Sequence, residues 1–195
     1  MTTERCLECE LSAAASEGDL AALRALIREG ADPGSEADCN TALFDAIAEG
    51  RADLVATLLD AGADPQRRHS VTGQTPWMAA LGGEHHEVVL ELRERGVDSA
   101  SVSLASLVAG SDRPELVGLA TLGGIDLNTA DPATGRTALH VAATYGYLGT
   151  VRCLVEAGAD VSVRDAWGNT PATLATRNHH EHVAGLLAGM GVEQE

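Results

Sequence analysis

Glycines recur along this chain at a nearly constant interval. Six of them are separated by 32, 34, 28, 34 and 33 residues: Gly30, Gly62, Gly96, Gly124, Gly158 and Gly191. The first five open the similar phrases GADP, GADP, GVDS, GIDL and GADV. A period of this length is typical of proteins built from stacked copies of one supersecondary element. The sequence therefore predicts a repeat architecture.

A second phrase begins 21 residues before the glycine in four of the repeats. It reads TALFDA, TPWMAA, TALHVA and TPATLA, starting at Thr41, Thr75, Thr137 and Thr170. The apolar residues that follow recur at the helical period in two short segments. Threonine favours a helix N-cap, and the closing glycine favours a left-handed C-cap. Each repeat is thus predicted to be a pair of short helices.

The segment from Gly135 to Asp160, GRTALHVAATYGYLGTVRCLVEAGAD, contains both phrases and resembles the ankyrin repeat. The resemblance covers nearly the whole chain. It implies an all-α solenoid of about six helix-turn-helix repeats connected by finger loops, forming a single domain over residues 1–195. The expected repeats are 6–36, 37–69, 70–100, 101–130, 131–164 and 165–195.

The fourth repeat departs from this pattern. Only 28 residues separate Gly96 from Gly124, and the segment SLASLVAG from Ser103 lacks the threonine phrase. The finger before this repeat is therefore expected to be truncated. Two interpretations remain open: a notch that admits a bulky element of a partner, or neutral decay of one repeat.

The formal net charge is −16, which makes nucleic acid an unexpected partner. The acidic residues have two possible roles. They keep a protein with a large surface in solution, or they attract a partner protein with a basic surface. The net charge alone does not distinguish these two roles. No apolar run approaches the roughly 18 residues of a membrane span, and the first ten residues lack the apolar core of a signal peptide. A cytoplasmic protein without membrane contact is expected.

The four cysteines are too few and too unevenly spaced for a disulfide framework. Cys153 takes a core position of a second helix. Cys6 and Cys9 form a C-x-x-C motif, and in the repeat register Cys39 lies near the same edge one repeat further on. Reduced thiols without a ligand are the favoured interpretation. A metal- or redox-responsive regulator using these three cysteines is the alternative.

Neither the histidines nor the glycines of the sequence form a known catalytic or nucleotide-binding motif. His140 takes the histidine position of the ankyrin phrase, where the resemblance implies a structural hydrogen bond. His85, His86 and the group at 179–182 lack H-E-x-x-H spacing and are predicted to be solvated turn residues. Hydrolase, P-loop and dinucleotide-binding motifs are also absent from the sequence. We expect a protein that is not an enzyme and needs no cofactor.

Ankyrin proteins mostly bind other proteins through finger tips and the concave faces of first helices, so the resemblance implies a protein-binding or scaffold module. The oligomeric state is open. The candidate binding residues are Arg67, Arg68, His69, Asp131, Arg136, Arg164, Asp165, Trp167 and Asn169 in fingers, with Glu49, Thr144 and Tyr145 on first helices.

Trp167, Tyr145 and Arg136 are the most informative candidates, because aromatic residues and arginine dominate interface energetics. An exposed Trp167 either packs on a neighbouring finger or anchors a partner, and both possibilities are open. Trp77, by contrast, replaces a core leucine of the ankyrin phrase and is expected to be buried.

Overall fold

The computed structural model describes residues 6–35, 42–100 and 102–191. Within these ranges the regular secondary structure consists of twelve α-helices. The chain divides into two compact units, Met1–Asp98 and Ser99–Glu195, called here the N-terminal and C-terminal units. The all-α ankyrin architecture is confirmed within each unit. The single-domain organisation stays a prediction.

The described residues of the N-terminal unit form three helix pairs. First helices pack on first helices, α1 on α3 and α3 on α5, while the second helices α2, α4 and α6 pack in the same order. Stacking of this kind buries the apolar faces that one helix pair cannot bury alone. The helices are α1 Leu7–Glu17, α2 Leu20–Glu29, α3 Ala42–Ala48, α4 Ala52–Asp60, α5 Pro76–Gly82 and α6 His86–Glu94.

The C-terminal unit repeats this arrangement with one short member. First helices α7, α9 and α11 pack in series, as do second helices α8, α10 and α12. The first helix of the irregular repeat, α7, is a single turn of four residues. The helices are α7 Ala105–Val108, α8 Pro114–Gly123, α9 Ala138–Tyr145, α10 Leu148–Glu156, α11 Pro171–Arg177 and α12 Glu181–Gly191.

Helix ends follow the sequence signals closely. The side chains of Thr75 and Thr170 cap α5 and α11 by accepting the third helical N–H. Thr137 instead places its N–H and its hydroxyl 3.2 and 3.0 Å from Nδ1 of His140. The five closing glycines have φ between 64° and 103°, as predicted. Gly191, the sixth, is the last residue of α12 and does not follow the helix as a C-cap.

The core consists mainly of Leu, Val and Ala side chains. Trp77 is 2% exposed and its Nε1–H donates to the carbonyl of Val97 at 3.1 Å, so its predicted burial is confirmed. Cys153 was expected in the core but is only half-buried, because it lies on the flank of α10. No helix in the described ranges is long and apolar enough to cross a bilayer.

Candidate protein-binding site

Within the residues that the structure describes, three hairpin fingers project between helix pairs, at residues 69–74, 131–136 and 165–169. In each finger the N–H of the first residue donates to the carbonyl of the last residue, at 2.8, 2.8 and 2.9 Å. Each also has a glycine with positive φ at or next to its tip. Six of the candidate residues from the sequence lie on the two fingers of the C-terminal unit or directly beside them.

A buried carboxylate organises finger 165–169. Asp165 is 5% exposed, and its Oδ1 accepts the N–H groups of Trp167 at 3.0 Å and Asn169 at 2.8 Å. Burial by itself would raise the pKa of Asp165, but hydrogen bonds from Asn169 and Trp167 outweigh it and lower the pKa. The side chain therefore stays ionised inside the finger.

Asp165 and Asn169 were expected to be exposed finger residues, and the structure buries both. The physical reason is that a tight hairpin has orphan N–H groups, and a carboxylate in its centre satisfies several at once. Their role in binding stays a prediction. Any such role acts through the position of the finger, since little of either side chain reaches the surface.

Trp167 is 64% exposed at the tip of this finger. The guanidinium carbon of Arg136, from the neighbouring finger, lies 5.4 Å from the centre of the Trp167 ring, a cation–π distance. Nε of Arg136 also donates to Oδ2 of Asp165 at 3.4 Å. The ring thus packs on a neighbouring finger and still presents most of its surface to solvent.

The two fingers are joined through their backbones as well. The N–H of Ala166 donates to the carbonyl of Thr134 at 3.0 Å. Gly135 has φ +65°, and a Cβ there would lie 2.8 Å from the nitrogen of Ala166. Glycine is therefore required at this point for the two fingers to approach so closely.

Beside Arg136 lies a groove of about 220 Å³. Alanine and serine side chains on and next to the short helix α7 occupy one wall, and their small size leaves the space open. Tyr145 is 53% exposed at its rim, stacked on Tyr147 with ring centres 5.5 Å apart. The groove is lined by Ala105, Ser106, Ala109, Asp131, Thr134, Arg136, Val141, Thr144 and Tyr145.

The structure thus brings together five candidate residues in one place. Asp131, Arg136, Thr144 and Tyr145 line the groove, and Trp167 is joined to it through Arg136. Asp131 holds its own finger by accepting the N–H and hydroxyl of Thr134, and these hydrogen bonds lower its pKa. We call the groove together with the exposed face of Trp167 the finger–groove surface.

Three basic candidates of the N-terminal unit, Arg67, Arg68 and His69, make local contacts. A guanidinium nitrogen of Arg67 donates to the carbonyl of Gly34, and Nη1 of Arg68 donates to the carbonyl of Gly73 at 2.9 Å. Nδ1 of His69 accepts two N–H groups of its own finger at 3.2 Å. The three side chains hold loops in place here, and their binding role stays a prediction.

The two remaining candidates, Glu49 and Arg164, are not among the residues that line the groove. Glu49 is exposed just after the C-terminal end of α3, in the N-terminal unit. Arg164 is exposed before finger 165–169, and its Nη1 donates to the carbonyl of Gly168 at 2.9 Å. Arg164 therefore braces the base of the finger that carries Trp167.

Two turn histidines make contacts that the sequence did not reveal. His85 and His180 were expected to be solvated, but each lies half-buried over a turn glycine of the preceding repeat. A Cβ on Gly50 would lie 2.6 Å from His85 Nδ1, and one on Gly146 would lie 2.4 Å from His180 Nδ1. His85 and His180 occupy the same place in their repeats, directly after the turn between the two helices. This shared place was the one signal in the sequence that could have indicated a structural contact.

Asp112 is a further structural residue that sequence reasoning missed. Its carboxylate accepts from the N–H groups of Gly149 and Thr150 at 3.2 and 2.7 Å and from the Thr150 hydroxyl at 2.6 Å. It thereby caps α10 from the preceding repeat. Burial alone would raise the pKa of Asp112, and the hydrogen bonds from Thr150 and Gly149 lower it overall.

Cys39, one of the three cysteines in the metal or redox alternative, lies outside the described residues. Cys6 and Cys9 lie at the start of α1, with their sulfurs 2.7 Å apart. Across the described ranges, no group of three or more His, Cys, Asp or Glu side chains is arranged to hold a metal ion.

Helix pairs stacked on like helices, with hairpin fingers between them, define a helical-repeat protein of the partner-binding kind. A family model described as "Ankyrin repeats (3 copies)" matches residues 11–102 and again 104–195. The chain belongs to the ankyrin-repeat family. It is a protein–protein interaction module.

Several known proteins are similar to the chain, two of the three described here over about three quarters of its length. Cyclin-dependent kinase 4 inhibitor B of Bos taurus is 34% identical over 154 residues, covering 79% of this chain and 92% of the relative. Cyclin-dependent kinase inhibitor 2A of Homo sapiens is 34% identical over 145 residues, 74% of each chain. Rabankyrin-5 of Mus musculus is 47% identical over 53 residues, which is 27% of this chain and 4% of the relative.

Proposed function

We propose that the chain binds its partner protein through the finger–groove surface of the C-terminal unit. The observation that carries this proposal is the position of Arg136, which lines the groove and also lies against the ring of Trp167. An exposed aromatic anchor and a cavity for a partner side chain therefore form one continuous surface. Trp, Tyr and Arg are the residues most enriched among interface hot spots.

The exposed area of Trp167 sets the expected contribution. A tryptophan side chain offers about 250 Å², and 64% of it, about 160 Å², is open for burial by a partner. At about 25 cal/mol per Å² this area corresponds to about 4 kcal/mol. Because association and side-chain ordering offset part of the gain, we expect Trp167→Ala to weaken binding by about 30- to 1,000-fold.

The partner in this proposal carries a basic surface. A formal charge of −16 attracts such a partner over a distance and raises its association rate at low salt. The proposal also has the chain act in the cytoplasm, without catalytic activity or a cofactor. Association rates that are unchanged between low and high salt would refute the electrostatic part alone.

The test begins with affinity capture from cells that produce the protein, using the wild type as bait. The captured protein is identified, purified and titrated against the wild type and the variants Trp167→Ala, Arg136→Ala and Val71→Ala. Val71 is the matched control, since it is 76% exposed on a finger of the N-terminal unit.

We expect a large loss of affinity for Trp167→Ala and a smaller one for Arg136→Ala, whose guanidinium both supports the ring and lines the groove. Val71→Ala should remain within about twofold of the wild type. Circular dichroism checks that each variant is folded. Equal affinities for all four proteins would refute this surface as the binding site.

A second candidate function is inhibition of a protein kinase. It is favoured by relatives named as inhibitors of cyclin-dependent kinase 4, one of which is matched over 92% of its length. Purified cyclin-dependent kinase 4 is the probe, with the bovine relative as positive control. Inhibition at concentrations close to those of the control would support this function, and no inhibition at a hundredfold higher concentration would refute it.

A further inference from the structure

Two cysteines meet at the first turn of α1. Cys6 is the N-cap residue, and its sulfur accepts the N–H of Cys9 at 3.4 Å. The thiol of Cys9 in turn lies 2.7 Å from the sulfur of Cys6. An S–S bond is about 2.0 Å long, so the two sulfurs need to approach by only about 0.7 Å to be joined.

The need for an N-cap on α1 does not explain why cysteine occupies both positions 6 and 9. Serine is a preferred N-cap residue and would accept the same N–H, so a helix start needs neither sulfur. A side chain at the N-cap reaches the third helical residue, and cysteine at both places brings the two thiols together. Cys6 is exposed, and a small reagent therefore has access to it.

We propose that Cys6 and Cys9 form a reversible dithiol–disulfide site that exchanges with low-molecular-weight disulfides such as oxidised glutathione. The site lies in the N-terminal unit and is independent of the finger–groove surface. Because the two sulfurs are already in contact, ring closure competes strongly with the attachment of a second glutathione. Neither Cys39 nor Cys153 takes part.

The exchange has two steps. The Cys6 thiolate attacks one sulfur of oxidised glutathione, the S–S bond breaks and one glutathione thiolate leaves. The Cys9 thiolate then attacks the Cys6 sulfur of this mixed disulfide, the Cys6–Cys9 bond forms and the second glutathione leaves. Two electrons pass to glutathione, and the two protons lost by the cysteines are taken up by the two departing thiolates.

The test uses the reduced full-length protein equilibrated in a series of reduced and oxidised glutathione mixtures. Free thiols are blocked with N-ethylmaleimide, and a tryptic digest is analysed by mass spectrometry. Because trypsin cleaves after arginine, Cys6 and Cys9 fall in peptide 6–24, Cys39 in 29–51 and Cys153 in 153–164. Each thiol environment is therefore measured separately.

We expect peptide 6–24 to lose two hydrogen atoms and to carry no glutathione, at oxidised glutathione levels at least tenfold below those that modify Cys153. In Cys6→Ser the serine keeps the helix cap, and Cys9 should then carry a glutathione at levels similar to Cys153. Cys153→Ser is the control and should leave peptide 6–24 unchanged.

Three results would overturn the proposal. One is separate glutathione adducts on Cys6 and Cys9 in the wild type, and another is a cross-link from either residue to Cys39. The third is oxidation of peptide 6–24 at the same glutathione ratio as Cys153. The affinity of the Trp167→Ala variant bears on none of these outcomes, so failure of one proposal is distinguishable from failure of the other.

Discussion

Replacing His140 with leucine is expected to destabilise the C-terminal unit by about 2–4 kcal/mol near neutral pH. His140 is fully buried. Its Nδ1 accepts the N–H of Thr137 at 3.2 Å, and its Nε2 lies 3.1 Å from the carbonyl oxygen of Asn169, to which it donates. Leucine is close in size but offers neither interaction. It leaves the N–H and the hydroxyl of buried Thr137 without their shared acceptor, while the Asn169 carbonyl keeps only the hydrogen bond from the N–H of Asp165.

The magnitude follows from those two orphaned groups. Each buried polar group without a partner costs about 1–3 kcal/mol, and the larger apolar contact of leucine offsets part of the sum. For a chain of 195 residues, each kcal/mol lowers the melting temperature by about 2–4 °C. A fall of about 5–15 °C is therefore expected.

The effect should depend on pH in a defined direction. Burial lowers the pKa of His140 below its ordinary value of 6.5, nearby Asp165 acts to raise it, and Arg136 acts to lower it further. A histidine with a lowered pKa stabilises the fold above the unfolded value of about 6.5, and this stabilisation is lost as the pH falls towards the folded pKa. The difference in the free energy of unfolding between wild type and His140→Leu should therefore become smaller as the pH falls from about 6.5 towards the folded pKa.

Urea denaturation followed by circular dichroism, at about pH 7.5 and about pH 5.0, measures the difference. Exposed His182, replaced by leucine, is the matched control and should change stability by less than about 0.5 kcal/mol at either pH. Hydrogen exchange over residues 165–177 shows whether the loss is local. Suppose that the free energies of unfolding of wild type and His140→Leu differ by the same amount at both pH values. That result would refute the assignment of a buried neutral imidazole at His140.

Two other substitutions test single contacts. Gly146→Ala should lower the free energy of unfolding by about 1–2 kcal/mol more than Gly158→Ala. Both glycines have positive φ, but of these two only at Gly146 would a Cβ meet another group, the ring of His180. Equal losses of stability in urea denaturation would contradict this prediction. Trp77→Phe should cost about 1–2 kcal/mol through loss of its hydrogen bond to Val97, and a change below about 0.3 kcal/mol would show that this bond contributes little.

The repeat register and the helix ends could be predicted because they depend on local rules. Thr75 and Thr170 cap helices whatever lies around them, and the closing glycines adopt positive φ because the chain must turn there. The burial of Trp77 also followed, since its position in the phrase is a core position. Each of these inferences needed only residues a few places apart.

Contacts between neighbouring repeats could not be predicted from local sequence rules. Asp112 caps a helix that begins 36 residues later, and nothing in its local sequence distinguishes it from a solvated turn residue. The burial of Asp165 was missed for a similar reason. A finger aspartate can face either solvent or the hairpin interior, and the outcome depends on how the adjacent finger is placed.

In the C-terminal unit the buried network and the proposed binding surface are physically connected. His140 holds the carbonyl of Asn169, whose N–H and side chain bind Asp165. Asp165 in turn holds the N–H of Trp167 and the guanidinium that lies against its ring. A side chain with no exposure thus positions the most exposed aromatic ring of this unit, and His140→Leu should weaken partner binding even where the fold persists.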